Sequence, residues 1–109
     1  MAWRVSLAAP AEADAYAAFE RTHETAPMHA EKWLTRLFEA ILSLGEFPGR
    51  CPVIPEEKEL GFPARHLLYG KGRGLYRIIF HIRDEDQHVR VLRIWHASRN
   101  AITAADAGT

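Results

Sequence analysis

Arg65, Lys71, Arg73 and Arg77 follow one another along the chain with no acid between them. Cations at this density suit a phosphate or a row of carboxylates, because guanidinium and ammonium groups bind such oxygens through charge-assisted hydrogen bonds. Gly70, Gly72 and Gly74 alternate with Lys71 and Arg73, and a glycine-rich turn lets backbone N–H groups approach an anion. The spacing is not that of a Walker loop, and a solvated basic turn is the plainer alternative. Tyr69 and Tyr76 could stack on nucleic-acid bases, although packing at a core margin is the commoner use of such side chains. The six histidines, His23, His29, His66, His81, His88 and His96, lack metal-ligand spacing, and no cysteine or carboxylate cluster accompanies them. No metal site and no cofactor are expected. Cys51, between Arg50 and Pro52, has no neighbouring base to activate it and reads as a small packed residue.

The chain has 109 residues, 48% hydrophobic and 26% charged. That is close to a globular average and suits one domain over residues 1–109 rather than two. A single cysteine precludes an internal disulfide, and acids soon after the first residue argue against a secretory signal. A cytoplasmic protein without a membrane span is expected. The formal net charge of zero conceals a polarity: residues 1–62 carry ten acids against six bases, and residues 63–109 eight bases against four acids. Such asymmetry points to a polyanionic partner, with a mixed solvated surface as the alternative.

The elements that position these residues follow from periodicity. Trp3, Val5 and Leu7 alternate with Arg4 and Ser6, which predicts a strand over residues 2–7. Pro10, with Glu12 and Asp14 behind it, opens an alanine-rich helix running to about Glu24. Pro27 opens a second helix, whose apolar positions Ala30, Trp33, Leu34, Leu37, Phe38, Ile41 and Leu44 fall at three- and four-residue spacing before Gly45. Residues 46–64, rich in Pro and Gly, read as an ordered connecting loop. Strands are predicted over Arg65–Tyr69, Leu75–Ile82 and Val89–Trp95, separated by turns and so forming an antiparallel meander. In the central one the apolar face of Tyr76, Ile78, Phe80 and Ile82 should meet the helices, leaving Arg77 and His81 exposed on the far side of a single sheet. The segment 103–109, rich in Ala, Gly and Thr, reads as a frayed tail.

This order of strand, two helices and three-stranded meander, with cations on the meander, resembles the RelE/ParE superfamily of bacterial toxin–antitoxin toxins. The resemblance covers roughly residues 3–102. It rests on Ala30-x-x-Trp33, on Leu44 followed by Phe47-Pro48-Gly49-Arg50, on Arg65-His66-Leu67, on Leu75-Tyr76-Arg77-Ile78-Ile79-Phe80, and on Val91 through Arg99, which reads VLRIWHASR. It implies an α+β fold of order β-α-α-β-β-β, with two antiparallel helices on a twisted, mainly antiparallel sheet. The implied function is the toxin of a type II (plasmid stabilisation) module that inhibits growth and is neutralised by a cognate acidic antitoxin. A ParE-like inhibitor directed at DNA gyrase is slightly favoured. The alternatives are a RelE-like endonuclease of ribosome-bound mRNA, which would be metal-independent, and a non-toxic relic that only binds antitoxin. The oligomeric state is left open.

For the nuclease reading the resemblance transfers a phosphate-binding role to Arg77 and a basic role to Arg65. Arg93 and Arg99 align less well with the superfamily's C-terminal basic cluster. His96 is the candidate general acid or base, since an imidazole of pKa about 6.5 exchanges protons near neutrality and such a group contributes ~10²–10⁴-fold. Histidine at this place also recurs in members that do not cut RNA, where it holds the turn. The RNA-cleaving branch often carries a tyrosine just beyond, whereas this chain reads Asn100-Ala101-Ile102-Thr103, which lowers the nuclease reading. Arg65, Lys71, Arg73, Arg77, Arg93 and Arg99 remain candidates for binding a phosphate or an acidic partner.

Overall fold

A computed structural model describes residues 2–108. β1 (Arg4–Leu7) leads through Ala8 into α1 (Ala9–Thr25), and Ala26 alone separates α1 from α2 (Pro27–Leu42). Pro10 and Pro27 stand in the first turns of these helices, where the missing N–H loses no hydrogen bond. Ala11, Ala15 and Ala18 form the buried stripe of α1, so its backbone approaches the sheet closely. α2 buries Ala30, Leu37 and Ile41 and passes into a 3₁₀ turn, Ser43–Gly45, that buries Leu44. The helical run expected up to Gly45 is thus α-helix and then a tighter turn.

β2 (Arg65–Tyr69), β3 (Tyr76–Arg83) and β4 (His88–His96) form the expected meander, within a residue or two at each end. The sheet order is β1-β4-β3-β2, with β1 parallel to β4 and the other pairs antiparallel. Tyr76, Ile78 and Phe80 face the helices in one core with Leu37, Ile41, Leu44, Val89, Val91 and Ile94. Between Ile79 and Phe80 the β3–β4 register shifts, and Leu92 has no partner across the ladder. This bulge explains how Val89 and Val91, then Ile94, share the helix face despite breaking strict alternation.

The far side of the sheet is covered, which corrects the expected exposed face. Ile79, Leu92 and Trp95 form a second core there with Ile54, Leu60, Ala64, Ile102 and Ala107. The covering pieces come from the two segments without strong periodicity. Residues 46–64 contain a 3₁₀ turn at Pro48–Arg50, the short helix α3 (Glu57–Leu60) and an antiparallel bridge from Val53 to Arg65. The expected frayed tail instead forms α4 (Ala104–Ala107). Thr103 caps α4 by accepting the Asp106 N–H, and the Asp106 carboxylate accepts the Thr103 N–H and hydroxyl. Ile102 and Ala107 on either side are buried, so two apolar anchors and a cap hold a segment whose composition suggested disorder. Thr109, the last residue of that expected tail, lies outside the described residues. No helix among those described is long and apolar enough to cross a membrane.

The glycine-rich turn is built rather than loose. Gly70 has φ +90°, and a Cβ there would stand 2.2 Å from the Gly74 carbonyl oxygen. Gly70→Ala is therefore expected to destabilise the domain by ~1–3 kcal/mol, since both backbone strain and a clash with main chain oppose it. Gly49→Ala, where a Cβ meets nothing within 4 Å, is the control, and urea denaturation compares them. Equal midpoints would show that the turn opens without loss.

Candidate functional site

Of the predicted residues on β2 and β3, Arg77 lies on the far face of the sheet and Arg65 on the helix side, opposite Phe80. Arg77 projects from the middle of the meander into the second core's margin, where its Nη1 and Nη2 donate to the two oxygens of Glu56 at 2.7 and 2.8 Å. Its Nε donates to His66 Nδ1 at 3.0 Å. Only 13% of the Arg77 side chain and 10% of Glu56 is exposed. Glu56 also accepts the Ile102 N–H at 3.3 Å, so one carboxylate ties the 46–64 segment, β3 and the C-terminal segment together. The Arg77 hydrogen bonds, outweighing burial, hold the Glu56 carboxyl down at about 2. Burial, helped by the Arg77 charge, pushes His66 below its ordinary value and keeps it neutral, as its acceptor role requires. Arg65 is likewise engaged, its Nη1 donating to the carbonyls of Gly49 and Cys51. Burial raises the Cys51 thiol above its usual value, consistent with a packed, unreactive residue.

His96 ends β4 with both ring nitrogens occupied. Nδ1 accepts the Ser98 N–H at 3.1 Å, which places the ring proton on Nε2, and Nε2 lies 2.7 Å from the Arg73 carbonyl oxygen as its donor. The ring packs edge-on against Tyr76, centroids 4.9 Å apart. This arrangement joins the glycine-rich turn to the end of β4. It leaves the imidazole no free lone pair with which to accept a proton from a substrate.

Arg93 is a structural cation too. β1 ends opposite Val91, so beyond it that edge of β4 has no neighbouring strand. Asp14 of α1 takes the strand's place: its carboxylate accepts the Ile94 N–H at 3.0 Å and pairs with Arg93 Nε and Nη2 at 2.6 and 2.8 Å. Arg93 also donates to the Asp106 carbonyl of α4. Arg99, exposed, lies over the Trp95 ring at 3.8 Å.

The six predicted cations therefore do not converge. Arg65, Arg77 and Arg93 are bound within the fold, Arg99 lies beyond the end of β4, and Lys71 and Arg73 stand exposed on the turn. Lys71 instead meets Trp33, expected in the helix core, and Arg36, which no motif marks. With Trp33 and Arg36 of α2, and with Tyr69, Gly70 and Gly74, it lines a groove of 510 Å³. That groove continues into a recess of 320 Å³ where His29 and Lys32 join Trp33, Arg36 and Tyr69. Tyr69 donates its hydroxyl to the Trp33 carbonyl at 2.7 Å, and Trp33 packs edge-on against Tyr69 and Tyr76. The available signal was His29, Lys32 and Arg36 at helical spacing around Trp33. Among the described residues, no group of three or more His, Cys, Asp or Glu is gathered as metal ligands would be.

Comparison with known proteins accords with this fold. A chain in the crystal structure of the toxin–antitoxin complex RelBE2 from Mycobacterium tuberculosis is similar in fold, with TM-score 0.55 and 22% identity over 88% of this chain and 99% of that one. No curated protein matches the chain. The family described as the ParE toxin of the type II toxin–antitoxin system, parDE, matches residues 5–101. Nearly the whole of the sheet and both long helices fall within that match, and the chain belongs to the ParE family of type II toxins.

Proposed function

We propose that this ParE-family chain arrests growth by binding its target, DNA gyrase, rather than by cutting RNA, and that a cognate antitoxin neutralises it by covering its cationic surface. The observation that carries the reading is the state of Arg77 and His96. A phosphate-binding arginine needs its guanidinium fork free for the transition-state anion, and a general base needs an open lone pair. Here Glu56 fills the fork and Ser98 and Arg73 occupy the imidazole. The absence of an aromatic residue beyond Trp95 points the same way. The gyrase target itself rests on family membership.

The discriminating experiment replaces the ion pair as a unit. In Glu56→Leu/Arg77→Met both charges go, and apolar replacement of a shielded pair is frequently neutral or stabilising. The variant should still arrest growth on induced expression and still block supercoiling by purified gyrase, with ribosome-bound messages intact. Loss of arrest in a variant that remains folded, together with message cleavage by the unaltered chain, would establish the ribonuclease reading instead.

A further inference from the structure

The groove of Lys32, Arg36 and Lys71 runs beside a sheet edge that is only half closed. β2 is an outer strand, and its free side is covered at the start, where His66 N–H donates to the Pro52 carbonyl and Val53 bridges to Arg65. Backbone groups alternate sides along a strand, so Leu68, two residues on from His66, also directs its N–H and C=O outward. No backbone group closes them among the described residues, and the Leu68 side chain is 53% exposed. The edge stays open until Gly70 turns the chain. An open edge is a template for one more strand.

We propose that an extended acidic segment of a partner protein seats here, pairing with β2 at Leu68 and directing carboxylates at Lys32, Arg36 and Lys71. Three features favour that occupant. The groove carries three permanent cations and His29 but no acid, and none of the three makes an ion pair among the described residues. Glu39, whose charge is felt at Tyr69, makes no ion pair with Arg36 among the described residues. Side chains on a paired strand alternate, so every second residue would turn toward α2, where Lys32 and Arg36 lie one helical turn apart. A second copy of this chain would set the same cations against each other. A single nucleic-acid strand would satisfy the cations but leave the Leu68 N–H and C=O without their amide partners. At the junction of α1 and α2, the same end of α2 that carries His29 and Lys32, Glu20, Glu24 and Glu31 line a separate recess, so an acidic segment favours the Arg36 and Lys71 part of the groove.

The proposal rests on the antitoxin reading only for the partner's identity in the cell. The probe is a synthetic octapeptide of alternating Glu and Val, titrated into the ¹⁵N-labelled full chain, with polyuridylate and the Lys–Val octapeptide as comparisons. The Glu–Val peptide should bind at low salt, slow hydrogen exchange of the Leu68 amide at least tenfold and leave Val5 on the other sheet edge unaffected. Arg36→Glu/Lys71→Glu, both at exposed positions, should weaken binding at least tenfold with the melting curve preserved. Undiminished binding to that variant, protection at Val5 rather than Leu68, tighter binding of polyuridylate, or no binding at all would each overturn the proposal. In cells, the variant should arrest growth and escape its antitoxin. If the unaltered chain causes no arrest, the toxin reading fails while the peptide measurement still decides the groove.

Discussion

Arg77→Ala is expected to lower stability by ~3–5 kcal/mol, because it strands the Glu56 carboxylate in a shielded site. For a domain of this size that corresponds to a melting temperature lower by roughly 12 °C or more, at ~4–8 °C per kcal/mol. The same pair imposes a pH dependence whose sign is determined. Glu56 titrates near 2 in the folded chain, against an ordinary value of 4.5. The depressed value means that the unfolded chain takes up protons first as pH falls. The contribution of the pair is then fully present above about pH 4.5 and disappears as pH falls toward 2, amounting to on the order of 3 kcal/mol. Urea denaturation of both proteins at pH 7 and at pH 3 should show the gap between them narrowing with acid. A gap that stays constant would mean that Arg77 acts through packing alone. Near-native stability of Glu56→Leu/Arg77→Met would then assign the damage of the single change to the orphaned charge, and would free the functional experiment from any loss of fold.

Asp14→Ala is the second large effect, and it is transmitted from a helix to a strand. The substitution leaves Arg93, 16% exposed, without its carboxylate and leaves the Ile94 N–H without an acceptor. These are overlapping losses, of ~3–5 kcal/mol together. Asp14→Asn keeps an oxygen for the Ile94 N–H and removes only the charge, so about half the loss is expected. Hydrogen exchange separates the two roles: the Ile94 amide should open quickly in the alanine variant and remain slow in the asparagine variant. Equal exchange in both would place the whole effect in the ion pair. Function should follow stability here, since Asp14 faces the body of the sheet and not the groove.

Both predictions concern partners that no motif announces. Asp14 reads along the chain as an acid suited to a helix N-terminus, and Glu56 as one member of an acidic loop. Each is instead matched to an arginine distant in sequence, Arg93 and Arg77, and such pairings depend on how elements fold over one another. The same reason explains why the candidate cations were misgrouped. Proximity along the chain placed Arg65, Lys71, Arg73 and Arg77 together, yet a strand sends alternate residues to opposite faces and a turn carries its own residues elsewhere. Lys71 consequently meets Arg36 from α2 rather than Arg77.

What the sequence by itself determined was everything governed by local period. The apolar spacing of α2, the prolines at both helix starts, the alternation in β3 and the glycine-rich turn each depend on neighbours within a few residues, and they placed the elements and carried the family resemblance. The tertiary structure alone decided the parallel docking of β1 on β4 and the bulge beyond Val91 that turns Ile94 to the helices and Trp95 to the far face. It also decided the second core that covers that face. Ile54, Leu60, Ile102 and Ala107 come from segments with no regular spacing, and their burial arises from contacts between residues far apart in sequence. Because that core encloses Arg77 and closes it onto Glu56, the side chain that looked most available for chemistry became a structural tie, and Lys32, Arg36 and Lys71, in no ion pair among the described residues, stand beside β2.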